Sequence, residues 1–288
     1  MKITQDIVGT KLRPLHGSWS GRDCALYALG IGAGQADALE ELEFTTDSTA
    51  SRSQAVYPTF GVIPGTEVGV KHLLEELGDA VDFSQMLHGE QTIEQLTPLP
   101  TNAYVLTQGT ITAAWDKRNS TVIETVAETS DSETGALYCR STQSLFFRGV
   151  GGWGGERGPS TTAPTGPHGE PDLVLTVPTR QDQALLYRLS GDDNPLHLDP
   201  EAAARAGFDR PILHGLCSYG IVGRVLLAAY AASVPARFHS LATRFRGPVY
   251  PGDTLAVEAW QSGGAVRFLV KNQHGETVLA NGLFLLRE

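Results

Sequence analysis

Apolar and polar residues alternate in the second half of the chain in a way that predicts separate strands and helices. Residues 173–179, LVLTVPT, alternate like a half-buried strand, and 182–191, DQALLYRLSG, follow as a short helix that ends at its glycine. Another helix is predicted over 199–207, because Asp199 and Pro200 are start signals and the segment closes on glycine.

The segment 215–234, GLCSYGIVGRVLLAAYAASV, is apolar on nearly every side and carries a single charge, Arg224. A helix of this composition is expected to be buried on several faces. Four strand-like runs follow it, separated by glycine-containing turns: ARFHSLATRFRG, TLAVEAWQ, AVRFLVKNQ and TVLANGLFLL. The pattern favours an α+β fold in which an antiparallel sheet wraps one buried helix.

A segment rich in Gly, Pro, Ser and Thr, residues 149–170, divides the chain near its middle and is typical of a linker. Short echoes occur in the same order on both sides of it. RDCALYALG at 22–30 resembles QDQALLYRLSG at 181–191, and LHGEQ at 87–91 opens a segment similar to that at 238–254. We therefore predict two related domains and a linker: 1–150, 151–170 and 171–288.

Composition narrows the class of protein. The chain has 288 residues, of which 41% are hydrophobic and 19% charged, so it can bury a large core. Its net charge of −10 argues against nucleic acid and anionic membranes as partners. The longest uncharged apolar run, 225–236, is too short to cross a bilayer, and we expect a cytoplasmic protein. Cys24, Cys139 and Cys217 are too widely spaced for a metal knuckle and are expected to be buried thiols.

The densest group of reactive residue types lies in SGDDNPLHLDP at 190–200. Glycine and proline predict a turn there, between two helices. Asp192 and His197 on one rigid turn can face the same small volume and act as an acid/base pair, with Asn194 orienting a water. Taken alone, the same residues are better explained by turn hydrogen bonds and a surface histidine.

The motif GDDNPLH, together with the later RPILHG, resembles the signature of MaoC-like dehydratases and of the (R)-specific enoyl-CoA hydratase 2 family. The resemblance extends to the first half, which is similar to the amino-terminal part of the hydratase 2 module in peroxisomal multifunctional enzymes through RDCALYALGIGAG, YPTFGVIPG, LHGEQ and FRGVGGWGG. It implies a double hot-dog fold, two antiparallel sheets each wrapping a central helix. The first domain would be a degenerate copy that houses the acyl chain.

The resemblance also implies roles for individual residues. Asp192 and His197 would be the acid/base pair, Asn194 would position the water, and the backbone N–H of Gly215 would polarise the thioester carbonyl. A helix N-terminus is suited to that last task, because its free N–H groups favour a developing oxyanion. The reaction would be reversible hydration of trans-2-enoyl-CoA to (3R)-hydroxyacyl-CoA. No metal or separate cofactor is expected, since the substrate carries coenzyme A, and the chains are expected to form a homodimer.

Other residues are weaker candidates for contacts with the substrate. Arg244 and Arg246 could bind the phosphates of CoA, or lie on a solvated strand edge. His88, Gly89 and Glu90 are expected beside the substrate pocket, with structural hydrogen bonding as their main role.

Two further motifs lack the structural context of the sites that they resemble. GIGAG at 30–34 lacks the preceding strand of a dinucleotide loop, and GLCSYG at 215–220 lacks the strand of a nucleophile elbow.

A hot-dog thioesterase would share the fold but would not need the GDDNPLH turn. A noncatalytic acyl-CoA-binding subunit would be expected to have lost Asp192 or His197. A dehydratase is the same enzyme working in reverse.

Overall fold

The computed structural model describes residues 3–82, 85–159 and 169–287. Its strands are β1 (Leu15–Trp19), β2 (Met86–Gln95), β3 (Ala103–Asp116), β4 (Ser120–Asp131), β5 (Leu137–Arg148), β6 (Leu173–Pro178), β7 (Phe238–Phe245), β8 (Thr254–Ser262), β9 (Ala265–Lys271) and β10 (Thr277–Leu286). Its α-helices are α1 (Gly21–Gly30), α2 (Leu42–Thr45), α3 (Val62–Thr66), α4 (Leu73–Leu77), α5 (Gln183–Tyr187), α6 (Pro200–Arg205) and α7 (Gly215–Ala231). The strands and helices predicted for the second half are all present.

The ten strands form one antiparallel sheet in the order β1-β3-β4-β5-β2-β7-β10-β9-β8-β6. Each half supplies five strands, and the second half repeats the order of the first in reverse. The two sets meet where β2 pairs with β7, from Glu90 opposite Arg244 to Glu94 opposite Ser240. The predicted double hot-dog architecture is thus confirmed, with its two sheets joined edge to edge because the central strands hydrogen-bond to each other.

The echoed segments occupy equivalent places in the two halves. Helix α1 follows edge strand β1, and α5 follows edge strand β6. The two helices pack against each other, with the buried rings of Tyr27 and Tyr187 6.0 Å apart. The second pair of echoed segments contains β2 and β7, the strands that join the sheets. The weak internal repeat in the sequence therefore follows a real structural duplication.

Helix α7 is the central helix of the second half and lies against β7 and β10. Its charged residue, Arg224, is accommodated by a partner from the first half: its Nη1 lies 2.9 Å from the Glu41 carboxylate. The Arg224 Nε also donates to the carbonyl of Ile31. Tyr57 donates its hydroxyl to the same Glu41 side chain at 2.7 Å. This cluster fastens the first-half loop to α7, because a nearly buried guanidinium needs both charge and hydrogen-bond partners.

The central helix of the first half is composite: α3 and α4 are joined by a π-helical segment, Glu67–His72. Gly61, Gly65 and Gly69 recur at every fourth position along it and the turn before it. A Cβ on Gly65 would lie 2.5 Å from the Cβ of Ser141 in β5, so glycine is needed for this close approach. Gln143 of β5 donates to the Gly65 carbonyl, which satisfies a backbone group of the irregular helix.

The region between the halves begins after β5 and ends at β6. Gly152 and Gly154 donate their backbone N–H groups to the carboxylate of Asp116, so the start of the region is fastened to the first half. Residues 160–168 of the predicted linker lie outside the described residues. Among the helices that the structure describes, none is both long and apolar enough to cross a bilayer.

Candidate active site

A cavity of about 910 Å³ lies between residues of the two halves. The four residues predicted to do chemistry all line it: Asp192, Asn194, His197 and Gly215. The first half contributes the opposite wall, mainly through β1, α3 and the start of β2. Both domains are therefore needed to form one enclosed site.

The predicted turn is built by its own residues. Gly191 adopts a φ of 115°, which favours glycine, and reverses the chain after α5. Asp192 accepts the backbone N–H of Asn194, and the Asn194 Oδ1 accepts the N–H of Leu196 at 3.0 Å, which caps the 3-10 turn Pro195–His197. The Asn194 oxygen is thus used by the backbone, and its amide nitrogen is left to donate into the cavity.

His197 is buried and its tautomer is fixed. Its Nδ1 lies 2.9 Å from the carbonyl of Ile212, which can only accept, so Nδ1 carries the proton and Nε2 carries the lone pair. Burial lowers the pKa of His197 and outweighs the opposite effect of the nearby Asp192 charge. The imidazole is therefore neutral at neutral pH and has a free basic nitrogen.

His214 is a site residue that the sequence analysis did not identify. Its ring lies 3.9 Å from that of His197, centroid to centroid, at an angle of 31°. Its Nε2 donates to the backbone carbonyl of Asp192 at 3.1 Å, while its buried Nδ1 has no hydrogen-bond partner among the described residues. Burial, helped by His197, lowers the pKa of His214 to about 2. The available signal was its position directly before Gly215, at the start of the apolar helix.

Asp192, His197 and His214 each offer a possible metal-ligand atom, and these atoms lie within 4.8 Å of one another. Each ring already donates one N–H to a backbone carbonyl, His197 to Ile212 and His214 to Asp192, so each has one ring nitrogen left as an acceptor. A free acceptor nitrogen on His197 beside a carboxylate suits proton transfer.

Gly215 begins α7, whose first turn faces the cavity. The side chain of His214, at the N-cap position, does not bond to this turn because it is used by Asp192. The Cys217 N–H donates to the carbonyl of His214, so the N–H groups of Gly215 and Leu216 at the helix start are the ones that keep their partial positive charge for a ligand. A Cβ on Gly215 would lie 3.1 Å from the ring of Phe245, so little space exists for a larger residue.

The three candidates on β2 have different positions. His88 lines the cavity, and its Nε2 is buried without a partner among the described residues. Burial lowers the pKa of His88 to about 4, so it is neutral. Gly89 and Glu90 do not line the cavity. The Glu90 side chain is exposed and lies 3.7 Å from Arg244, because this part of β2 runs beside β7 at the surface.

The two candidate arginines also occupy different positions. Arg246 is exposed and lines the cavity, whereas Arg244 does not line it and pairs with Glu90. They differ because Arg244 belongs to the paired part of β7, while Arg246 lies just beyond its end. Two exposed basic residues of the first half, Lys71 and Arg148, also line the cavity, and no local sequence signal identified them.

Neither GIGAG nor GLCSYG forms the loop that its motif would require, although Gly215 and Ser218 of GLCSYG line the cavity. Cys217 is fully buried, burial raises the pKa of its thiol, and its Sγ lies 3.4 Å from the carbonyl of Gly30. Its neighbour Ser218 is an interior residue of α7 and does not follow a strand. Segment 30–34 follows helix α1 and forms a turn. All three cysteines are buried and unpaired, as expected.

Comparison with known proteins agrees with this geometry. A model described as MFE-2 hydratase 2 N-terminal domain matches residues 18–149, and one described as MaoC like domain matches residues 163–281. The chain is 39% identical over 265 residues to 3-hydroxyacyl-thioester dehydratase Y of Mycobacterium tuberculosis, covering 91% of this chain and 89% of that protein.

Two other relatives extend the comparison. The chain is 35% identical over 286 residues to the peroxisomal enoyl-CoA hydratase 2 of Arabidopsis thaliana, covering 95% of this chain and 92% of that protein. Among solved structures, it is similar to the full-length peroxisomal multifunctional enzyme type 2 of Drosophila melanogaster, with a TM-score of 0.83 and 36% identity. That match covers 96% of this chain and 48% of the larger enzyme.

Proposed function

Because this chain belongs to the MaoC-like dehydratase and enoyl-CoA hydratase 2 family, we propose that it catalyses the reversible hydration of trans-2-enoyl-CoA to (3R)-hydroxyacyl-CoA. It is a hydro-lyase of fatty-acid or sterol side-chain metabolism. The observation that carries this proposal is the turn that places the Asp192 carboxylate within 4.8 Å of a His197 ring nitrogen, in the wall of a large cavity.

His197 is the general base in this mechanism. Its Nε2 accepts a proton from water as the water oxygen bonds to the β-carbon, and the displaced electron pair moves onto the thioester oxygen. The imidazolium then returns a proton to the α-carbon, so the sum of the two steps is addition of one water. The Asp192 carboxylate favours the imidazolium, in keeping with its raising effect on the pKa of His197.

Two hydrogen-bond donors complete the reaction centre: the side-chain amide of Asn194 and the backbone N–H of Gly215. The amide nitrogen of Asn194 donates to the water oxygen and holds it on one face of the alkene. The N–H of Gly215 donates to the thioester oxygen as negative charge develops there. Fixed donors of this kind need no reorganisation during the reaction, so they stabilise the enolate more than the ground state.

The two ends of the substrate differ in polarity, so the charged CoA end lies beside basic residues and the acyl end lies beside apolar ones. The exposed basic residues of the cavity wall, Arg246, Arg148 and Lys71, serve the phosphates of CoA. The acyl chain enters the apolar end formed by the first half, where Leu15, Leu26, Phe60, Ile63 and Val105 line the cavity. Neutral His88 lies along this path and offers a hydrogen bond to the amide groups of the pantetheine arm.

We also infer that the protein is a cytoplasmic homodimer. Each chain already contains two hot-dog units, so dimerisation is not needed to complete a site. Light scattering at micromolar concentration tests this inference, and a strict monomer would count against it.

The function is tested with trans-2-enoyl-CoA substrates of increasing chain length and one with a steroid side chain. Loss of the enoyl absorbance and chiral analysis of the product should show (3R)-hydroxyacyl-CoA. A thioesterase would instead release free CoA thiol, which a thiol reagent detects in the same assay. A noncatalytic acyl-CoA-binding subunit would bind the substrates and leave them unchanged.

A further inference from the structure

Trp19, the last residue of β1, is shared by two cavities. On one side the residue lines the large catalytic cavity, together with its neighbour Ser18. On the other side it lines a second pocket of about 320 Å³, whose other walls are Ser18, Asn102, Ala103, Tyr104, Asp131 and Glu133. The apolar end of the catalytic cavity is therefore separated from a polar surface pocket by a wall that includes one aromatic side chain.

The indole is held firmly in that position. Its Nε1 donates to the carbonyl of Pro100 at 2.7 Å. Its ring packs edge-on against Phe60, with centroids 5.4 Å apart, and more loosely against Tyr138 at 6.2 Å. Only 8% of the residue is exposed. A side chain fixed by a hydrogen bond and two ring contacts acts as a rigid wall and not as a mobile gate.

We propose that Trp19 closes the distal end of the acyl cavity and sets the maximum chain length that the enzyme accepts. This inference rests on the proposed hydratase function. The acyl tail approaches Trp19 because the reacting groups and the basic residues lie on other parts of the cavity wall, while the residues around Trp19 are mainly apolar. A tail that reaches the indole has no further apolar surface to bury.

Removing the indole would lengthen the catalytic cavity toward the surface pocket, and longer tails could enter without distortion. The space left by the indole is lined by the rings of Phe60 and Tyr138, which pack against it. Each methylene that leaves water for this apolar space improves kcat/KM by about fourfold. Two or three newly admitted methylenes would therefore change the preference by tenfold or more. Short substrates would gain nothing, because they do not reach the wall.

The experiment measures kcat/KM for a series of saturated-tail enoyl-CoA substrates, from butenoyl-CoA to hexadecenoyl-CoA. For the wild-type protein, kcat/KM should fall sharply once the acyl chain exceeds a certain length. Trp19→Ala should move that fall to longer chains and raise the ratio of long-chain to short-chain kcat/KM by roughly tenfold or more. Trp19→Leu keeps apolar bulk in the core and should move the chain-length limit in the same direction by a smaller amount. This variant replaces Trp19→Ala in the test if Trp19→Ala does not fold.

Two control variants separate the wall from general effects on folding. Trp19→Phe keeps an aromatic wall but removes the bond to Pro100, and should retain the wild-type limit. Tyr104→Ala enlarges only the surface pocket, since Tyr104 does not line the catalytic cavity, and should also retain it.

The outcomes distinguish this inference from the proposed function. A wild-type enzyme that is active, with folded Trp19→Ala or Trp19→Leu variants whose chain-length limit is unchanged, would overturn the role of Trp19 alone. A wild-type protein that hydrates none of the substrates would overturn both.

Discussion

The imidazole of His214 stacks against that of His197, with ring centroids 3.9 Å apart and an angle of 31° between the rings. The same His214 side chain donates from Nε2 to the backbone carbonyl of Asp192 at 3.1 Å. It therefore contacts both members of the proposed acid/base pair without using either of their reactive atoms. Since burial keeps it neutral, it fixes geometry and adds no charge to the site.

The first prediction concerns this positioning role. His214→Phe keeps a ring against His197 but removes the donor to Asp192, so the turn should loosen. We expect kcat to fall by roughly tenfold to hundredfold with little change in KM, since small misplacements of reacting groups have effects of this size. Steady-state kinetics measures the change. A folded His214→Phe variant with wild-type kcat would show that the bond to Asp192 is not needed.

The second prediction addresses the reacting groups themselves. Asp192→Asn and His197→Gln should each lower kcat by about a hundredfold or more, because the first removes the charge that favours the imidazolium and the second removes the general base. Thermal unfolding should change little for Asp192→Asn, which lies on a turn and not in the core. Asp209→Asn is the matched control, since Asp209 is exposed and does not line the cavity. Near-wild-type turnover in either active-site variant would refute the assignment.

The third prediction links two histidines of the site, the half-buried His88 and the buried His214, to stability. Burial lowers the pKa of His88 to about 4 and that of His214 to about 2, whereas an unfolded histidine titrates near 6.5. Below about pH 6.5 the unfolded chain therefore binds more protons than the folded one. The free energy of unfolding should fall as the pH drops, by up to about 1.4 kcal/mol per pH unit for each histidine.

Denaturant titrations between neutral pH and about pH 5 measure this slope. His88→Gln should make the slope shallower by up to about 1.4 kcal/mol per pH unit, the largest share that one histidine can contribute. His16→Gln, at an exposed histidine, is the matched control. An equal slope in wild type and His88→Gln would mean that His88 is not buried in its neutral form.

The second half of the fold was predictable because its local signals agree with its tertiary structure. The cap at Asp199 accepts the N–H of Glu201, and the apolar helix that starts after His214 runs from Gly215 to Ala231. The GDDNPLH turn could be placed for the same reason, since Gly191 and the Asn194 cap are encoded within it. In these segments the determinants of structure are close neighbours in sequence.

Other features of the fold and the site depend on tertiary contacts, which the pattern of apolar and polar residues along the chain does not reveal. The first central helix has glycines at its packed face and a π-helical interior, so it lacks an amphipathic pattern. Lys71 enters the cavity wall only because that helix faces the GDDNPLH turn, where its Nζ lies 3.5 Å from the carbonyl of Gly191. Likewise, the separation of Arg246 from Arg244 depends on where strand pairing ends.

The fourth prediction tests the cluster that joins the halves. Arg224→Met should destabilise the protein by about 3–5 kcal/mol, because it leaves the Glu41 carboxylate nearly buried without its counter-ion. Glu41→Gln combined with Arg224→Met should recover part of this loss, and a double-mutant cycle measures the coupling. The exposed pair of Arg13 and Glu75 is the control, and Arg13→Ala should cost less than about 1 kcal/mol. Equal effects at both pairs would contradict the structural role of the cluster.

The last prediction concerns the number of sites. In the first half, the segment after α1 that corresponds to the GDDNPLH turn is IGAGQADALE, which contains no histidine or asparagine. Its Gly34 N–H instead bonds to Glu41 within the structural cluster. An unreactive acyl-CoA analogue should therefore bind with a stoichiometry of one per chain in calorimetry. Asp192→Asn should keep this stoichiometry while losing turnover, because the cavity is unchanged. Two equivalent sites per chain would require a second centre in the first half and would contradict a single site built on a duplicated scaffold.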